Sequence, residues 1–321
     1  MNVFVTGGAG FIGSNLVDRL MQAGHSVTVI DNFSGGRNDF LARHYGSERF
    51  RLVEADVRDT GRVIRELDPS TDIVFHLAAN ADIARGVEDP TLDFEHSLVA
   101  TFSVLRAMRE RGVRRIFYTS GSGVYGDRGL AYSSERQGPL LPVSMYGATK
   151  LGAEGLVSAF VALFDMQAWM IRPANIIGPR ATHGVVFDFV RRLRADPTTL
   201  AILGDGKQSK AYLHVHDVID AMLLILKKAK SKINVYNLSS NSFITVNEIA
   251  RLVVSSMKLR NVKITRGTSK VGWRGDVAIV RLRNTQLNKL GWKPKCTSAQ
   301  AVRATILALL EDKRMSPGPA S

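Results

Sequence analysis

Cysteine is almost missing from this chain: of 321 residues, only Cys296 is one. An internal disulfide is therefore excluded, and a reducing compartment is expected. Acidic residues are in deficit, with 29 Asp and Glu against 43 Lys and Arg, giving a net charge of +14. Aromatics are also sparse, at 7 %. They do not interleave with the arginine sets Arg106, Arg109, Arg111, Arg114, Arg115 and Arg191, Arg192, Arg194 in the manner of a nucleic-acid module, so no nucleic-acid partner is expected. Lys227, Lys228, Lys230 and Lys232 follow an apolar helical run, where cations suit the helix dipole. Most of the positive charge thus reads as solvated surface, with a share left to draw in an anionic substrate. The longest apolar runs fall well short of the roughly 20 residues of a membrane helix, so no membrane partner is expected. Met1 stands almost directly before a strand-like run, and no secretory leader is expected. A cytoplasmic protein is the resulting expectation. No histidine set has metal-ligand spacing: His183, His214 and His216 read as loop or core residues, and no metal is expected.

What is present in quantity is hydrophobic residues, 45 % of the chain, in alternating strand-like and helix-like runs. The first such unit, residues 2–19, organises the rest. Val3, Phe4 and Val5 suit a buried strand, Gly7, Gly8, Gly10 and Gly13 a tight turn, and residues 14–20 a helix with Leu16, Val17 and Leu20 on one face. Strand, glycine turn and helix form a phosphate-binding arrangement. Glycine lets the backbone approach a pyrophosphate, and the helix N-terminus offers free N–H groups and partial positive charge. A second apolar run, 27–30, ends at Asp31, placed to accept hydrogen bonds from an adenosine ribose and to repel a 2′-phosphate. NAD is the expected cofactor. Its first contacts are expected at Gly7, Gly10, Phe11, Ile12, Gly13 and Asp31, and in the polar loop at Asn32, Ser34 and Gly35.

Further strands are expected at 51–54, 73–77, 116–119 and 168–171, with long helices at 92–112 and 146–164 between them. This order specifies a parallel sheet with helices on both faces. Asp56, followed by Val57, either meets the adenine amino group or caps a helix. Leu77, Ala78 and Ala79 are small or apolar residues at a strand end, where the cofactor would lie, and Pro173 is the last expected cofactor contact. The pattern loosens beyond this point, with helices at 185–194, 217–228 and 245–257 and a strand at 235–238. Two units are expected: a dinucleotide-binding domain over 1–172, and a smaller substrate lobe over 173–321 with segments near 210–240 returning to the sheet. Residues 313–321, with Pro317 and Pro319, are expected to fray.

Tyr146 and Lys150 are four residues apart at the start of a helix and so share one face. A free tyrosine titrates near ~10, too high for a base at neutral pH. The Lys150 ammonium, with the positive nicotinamide of NAD, is expected to lower that value and make Tyr146 a general base.

TGGAGFIGSNL at the glycine turn, Asp31, HLAA at 76–79, SGVYGD at 122–127, YGATK at 146–150 and RPANIIGPR at 172–180 together resemble an extended short-chain dehydrogenase/reductase. LGDGKQSKAYLHVHD at 203–217, GWRGDV at 272–277 and LGWKP at 290–294 are similar to its nucleotide-sugar epimerase branch, typified by UDP-glucose 4-epimerase. The resemblance covers nearly the whole chain. It implies a Rossmann-type doubly wound parallel sheet and a UDP-linked sugar substrate. The implied reaction is reversible hydride transfer from C4 through a 4-keto sugar, with Tyr146 as base and Lys150 tuning it. It further implies that Asn175, Lys210 and Arg274 contact the nucleotide diphosphate, with Arg180 and Arg85 as further candidates. Lys210 reads equally as a solvated loop residue, and Arg180 and Arg85 as surface ion pairs. A homodimer through paired copies of the two long helices is implied as well.

Two positions depart from the pattern. Relatives place Ser or Thr three residues before the Val of the VYG motif, where this chain has Gly121; Ser120 or Ser122 is the expected substitute. Ser97 stands where relatives often have asparagine. A 4,6-dehydratase or decarboxylase is the alternative activity, but the carboxylate pair a dehydratase carries after that Ser/Thr is here Ser122 and Gly123. A non-catalytic NAD-binding relative is a third reading, because of Gly121. Val280 falls near the position that limits sugar size.

Overall fold

The computed structural model describes residues 1–80, 83 and 85–312; the tail expected to fray lies outside them. The amino-terminal half runs β1 (Asn2–Thr6), α1 (Phe11–Gln22), β2 (Ser26–Asp31), β3 (Phe50–Glu54), α2 (Thr60–Glu66), β4 (Ile73–His76), the short α3 (Arg85–Glu88) and α4 (Pro90–Asp93), α5 (Ala100–Arg111), β5 (Arg115–Thr119), α6 (Met145–Phe164) and β6 (Gln167–Pro173). The other half runs β7 (Asn175–Ile177), α7 (Val185–Ala195), β8 (Thr199–Ile202), β9 (Ser209–Lys210), β10 (Tyr212–His214), α8 (Val215–Lys228), β11 (Ile233–Leu238), β12 (Ile244–Thr245), α9 (Val246–Ser256), β13 (Lys263–Arg266), α10 (Thr285–Lys289) and α11 (Ser298–Glu311).

Seven strands make one parallel sheet in the order β11-β6-β5-β4-β1-β2-β3. Their side chains alternate between two cores, as the period of a strand requires. Val3 and Val5 of β1, Phe75 of β4, Phe117 of β5 and Trp169 of β6 face α1 and α8. Phe4, Val74, Ile116, Tyr118 and Met170 face α5 and α6 on the other side. This is the Rossmann-type doubly wound sheet. The chain reverses direction across it between β1 and β4, and a ligand in such a sheet lies at the strands' carboxyl ends beside that reversal. β11 comes from beyond residue 172, yet pairs with β6 along its whole length.

A third core lies within the carboxyl-terminal half. Phe189, Val190 and Leu193 of α7 pack there with Ile249 and Val253 of α9 and Val302, Ile306 and Leu309 of α11. α9 and α11 both begin with reciprocal caps, Thr245 with Glu248 and Thr297 with Gln300, which satisfy N–H groups the helix leaves unpaired.

Two expectations change in detail. The single helix expected over 92–112 is broken: α4 ends at Asp93, a wider π-helical turn takes Phe94–Val99, and only then does α5 begin. Such a turn is an insertion into the helical ladder and often marks a functional site. By length and composition α6 is also apolar enough to cross a membrane, because its charges are only Lys150 and Glu154. Here its face of Ala153, Val157, Phe160 and Val161 packs on the sheet.

Candidate active site

A cleft of about 730 Å³ runs along the carboxyl ends of the strands and on to residues of the carboxyl-terminal half. Its floor at one end is the glycine turn. Gly7 adopts φ +68°, and a Cβ on it would sit 2.7 Å from the Ala78 nitrogen. A Cβ on Gly13 would collide with the Gly7 carbonyl oxygen, so turn, helix and β4 meet only with glycine at both places. Gly10, Phe11 and Ile12 line the cleft beside them.

Asp31 is 7 % exposed at the end of β2. Its carboxylate accepts from the Ala9 N–H at 2.9 Å and the Phe33 N–H at 2.8 Å. Burial pushes its carboxyl up from the usual range, and those two N–H groups pull it back. Asn32, Ser34 and Gly35 continue the wall, and Asp56 and Val57 face them. Asp56 is not the helix cap: Asp59 caps α2. Asp56 instead takes the Arg58 guanidinium at 2.8 and 3.0 Å and the Asn32 amide at 3.0 Å, and these hold its carboxyl down to about 2.

Below Leu77, Ala78 and Ala79, which also line the cleft, a buried chain ties strand ends together. Thr6 Oγ1 accepts from the Leu77 and Ala78 N–H groups, both at 3.2 Å. Its own proton therefore points to His76 Nδ1 at 2.7 Å. That leaves the ring proton on Nε2, donated to Thr101 Oγ1 at 3.0 Å, and Thr101 donates to the Ser97 carbonyl at 2.6 Å. Burial, then the Lys150 charge, hold His76 down to about 3, so the ring is neutral and its tautomer fixed.

Tyr146 and Lys150 lie on the first turns of α6, which Ser144 caps through the Gly147 N–H. Lys150 Nζ donates to the Thr119 carbonyl at 2.9 Å and lies 5.6 Å from the Tyr146 ring centre. One turn on, Glu154 receives Arg172 through a fork at 2.9 and 2.6 Å, and Arg172 donates to the Tyr125 hydroxyl at 2.9 Å. This buried pair fixes α6 to β6 and to the VYG turn.

The expected acidification of Tyr146 is not present in the chain alone. Burial first, and the charge of Asp93 second, push its phenol up to about 12. Burial brings Lys150 down to about 8, opposed by Asp93 and Glu154. Desolvation acts on both groups against their charged forms and is the larger cause in each.

Gly121 faces the phenol. A Cβ there would stand 3.6 Å from the Tyr146 hydroxyl oxygen, an ordinary contact, and its extended φ of −169° suits any residue. Ser120 and Ser122 both line the cleft. Ser120 is 1 % exposed and its hydroxyl has no partner among the described residues. Ser122 opens the following turn.

On the substrate side the structure brings Pro173, Asn175 and Lys210 to the cleft but leaves Arg274, Arg180 and Arg85 out of its lining. Trp273, one residue earlier than Arg274, takes the lining position. Arg180 is turned away to Asp18, at 2.7 Å. Lys210 is neither solvated nor free: it pairs with Asp276 at 2.5 Å, the two side chains 17 and 9 % exposed. Arg192, read from sequence as surface, lines the cleft and donates to the Ala201 carbonyl at 3.0 Å. His183 and His96 also line it. Sequence reasoning missed Trp273, Asp276, Arg192 and Asp93. The first two lie inside a motif already noted, and no signal marked the others. Among the described residues no cluster suited to a metal ion occurs.

The arrangement suits NAD. The glycines leave backbone open where a Cβ would block it, a carboxylate stands at the ribose end, and a phenol–amine pair stands at the far end. Comparison with known proteins agrees. The chain is 34 % identical over 315 residues to UDP-glucose 4-epimerase of Mycolicibacterium smegmatis, covering 95 % of this chain and 97 % of that one. It is 29 % identical over 311 residues to UDP-glucuronic acid decarboxylase 2 of Arabidopsis thaliana, covering 94 and 66 %. A crystal structure of UDP-galactose 4-epimerase superposes with a TM-score of 0.86 at 35 % identity, covering 97 and 99 %. DesIV, a dTDP-glucose 4,6-dehydratase from Streptomyces venezuelae with NAD bound, gives 0.90 at 25 %, covering 98 and 99 %. The model of one family matches residues 3–239, from the first strand of the glycine turn to the last strand of the sheet, and the chain belongs to that family, the NAD dependent epimerase/dehydratase family.

Proposed function

We propose that the protein is a nucleotide-sugar 4-epimerase of the UDP-glucose/UDP-galactose type, working by reversible oxidation at C4. One observation carries the choice within the family. The carboxylates that line the cleft, among the described residues, are Asp31, Asp56, Asp188 and Asp276. Positions 122 and 123, beside the phenol, are serine and glycine, so no acid–base carboxylate from that turn is available to drive loss of water. The UDP-sugar relatives support the same reading.

In this reading bound NAD would supply a reversible hydride acceptor for C4 and a positive charge near Tyr146. Gly7, Gly10 and Gly13 hold its pyrophosphate and Asp31 its adenosine ribose. Tyr146 takes the proton of the sugar C4 hydroxyl and gives it back. Lys150, anchored by Thr119, favours the phenolate and orients the nicotinamide ribose. Ser120 or Ser122 takes the hydrogen-bonding place that Gly121 leaves open. The 4-keto sugar turns between Tyr146 and the Val280 wall and presents its other face. Asn175 and Lys210 hold the nucleotide end.

The test is an assay of UDP-glucose, UDP-galactose, their N-acetyl forms and the uronates. C4 inversion is expected. Loss of water or carbon dioxide would replace this reading with the dehydratase or decarboxylase one. No turnover of any of them would leave an NAD-binding relative without catalysis. Tyr146→Phe should lose about 10²–10⁴-fold in turnover while retaining NAD.

A cytoplasmic homodimer belongs to the same proposal. Phe102 on α5 and Leu163 on α6 are 43 and 71 % exposed, an apolar face suited to a second copy. A solution mass of twice 35.2 kDa is expected, and Leu163→Glu should halve it.

A further inference from the structure

Asp93 is a buried carboxylate that neither the glycine turn nor the Tyr146–Lys150 motif explains. It is 1 % exposed and lies at the end of α4, where the helix widens into the π-helical turn. Among the described residues no cation lies within ion-pair distance of it; its Oδ1 accepts a hydrogen bond from the Asn80 amide at 2.9 Å. The backbone makes room for it, because a Cβ on Gly86 would collide with Oδ2. Burying a carboxylate on one amide hydrogen bond is costly. A fold keeps such a group where the charge has a use.

Its surroundings indicate the use. α3 and α4 both pack on α6, the helix that carries Tyr146 and Lys150. The titratable groups near enough to interact electrostatically with Asp93 are Lys150 and Tyr146 from α6 and His96 from the π-helical turn. Asn80, from the loop after β4, is neutral, and Arg85 of α3 is exposed. The other acid near the pair, Glu154, already holds Arg172 through a fork. Among the described residues, Asp93 is thus the anion near the pair whose charge no neighbouring cation cancels at contact. Asp93 lies outside the cleft lining and, among these residues, reaches it by contact only through Asn80; on Tyr146 and Lys150 it acts through its field.

We propose that Asp93 is the charge that keeps Lys150 protonated and sets the pH at which Tyr146 releases its proton. The proposal rests on Tyr146 as the proton carrier of the preceding reading. The directions are consistent: the negative charge pushes both Tyr146 and Lys150 up, after burial in the first case and against it in the second. Asp93 holds the phenol protonated until cofactor charge offsets it, and it preserves the ammonium that burial would otherwise discharge.

The experiment is a titration of the NAD-loaded protein, following tyrosinate absorbance, with Tyr146→Phe subtracted to isolate that one phenol. In Asp93→Asn the Tyr146 titration should move to lower pH by about one unit. The window of kcat/KM should move the same way at both edges, since Lys150 would also discharge earlier. Where Asp93→Asn does not fold, Asp93→Ser keeps a partner for Asn80 without the charge, and the same shift is expected. An unchanged Tyr146 midpoint in the folded variant overturns the proposal and leaves Asp93 as a prop for Asn80. The absorbance readout needs no sugar. A shift with no turnover would therefore sink the epimerase reading and spare this one, and turnover without a shift would do the reverse.

Discussion

The two ends of the cleft are built by different means. At the dinucleotide end the backbone does the work: glycines at 7 and 13 bring turn, helix and strand within contact, and Asp31 is held by two main-chain N–H groups. At the substrate end side chains hold one another. Lys210 is spent on Asp276, Arg192 on a strand carbonyl, and Trp273 rather than Arg274 faces inward. A backbone site tolerates almost no change at its few glycines. A side-chain site can be rewired one residue at a time.

The sharpest way to break this contrast is Gly13→Ala. Its new Cβ would collide with the Gly7 oxygen and lie 2.7 Å from the Gly8 Cα, and neither backbone segment can retreat. Overpacking of this kind costs on the order of 3 kcal/mol, about a hundredfold in affinity. The variant should purify without NAD, as measured by cofactor released on denaturation. Retention of stoichiometric NAD would show that the turn is more pliant than its contacts indicate.

The same contrast explains what could be read from the sequence. A backbone site leaves a trace in residue order, because only glycine meets its steric demands and the spacing repeats the turn. Asp31, Tyr146 and Lys150 follow at distances set by single strands and helix turns. The sheet was legible for the same reason: each strand is a short apolar run between turns. Lys210 and Asp276 are 66 residues apart, and nothing local to either announces the pair. Arg274 and Trp273 are adjacent, so a shift of one residue in the loop decides which points inward. The break at Phe94–Val99 was hidden because its residues continue a helical pattern. The height of the Tyr146 phenol in the chain alone was hidden because spacing reveals a neighbouring amine but not the depth of burial.

The substrate end can be tested through Lys210→Met. Removing the ammonium leaves Asp276 buried without its partner, and breaking such a pair costs about 3 kcal/mol. A fall in Tm with NAD content unchanged is expected, together with a raised KM for the nucleotide sugar. The double variant Lys210→Met, Asp276→Leu should recover most of the Tm but not the KM. If the single variant lowers NAD content as well, the two ends are not separable.

Acid should distinguish the two ends in another way. His76 sits beneath the dinucleotide end, and burial holds it at about 3 when folded, against about 6.5 in an unfolded chain. The unfolded state therefore binds the proton more tightly. Stability from this group is fully present above pH 6.5 and is lost as pH falls from there toward 3. Between pH 6.5 and 5 the loss is about 2 kcal/mol, at 1.36 kcal/mol per unit. His214, pulled down to about 4 by burial and by His216, acts in the same direction from outside the cleft, so the test is a difference. Tm should fall with pH less steeply in His76→Gln than in the unaltered protein. Equal slopes would mean that the Thr6–His76–Thr101 chain opens to admit the proton.

The smallest effect is expected where the two ends meet, at Gly121. Its backbone is extended and a Cβ would find only ordinary contact with Tyr146, so Gly121→Ser should fold with Tm unchanged. The new hydroxyl would stand next to the phenol, within reach of the sugar hydroxyl that Tyr146 would deprotonate in the proposed reaction. One added hydrogen bond contributes about 1 kcal/mol, a gain of roughly fivefold in kcat if the site lacks that bond now. If Ser120 or Ser122 already supplies it, kcat should stay within twofold and Ser120→Ala or Ser122→Ala should instead lose activity that Gly121→Ser restores. A large fall in kcat with Tm intact would mean that the open face beside Tyr146 is occupied by the sugar itself, and the substrate end would then extend further toward the phenol than its lining indicates.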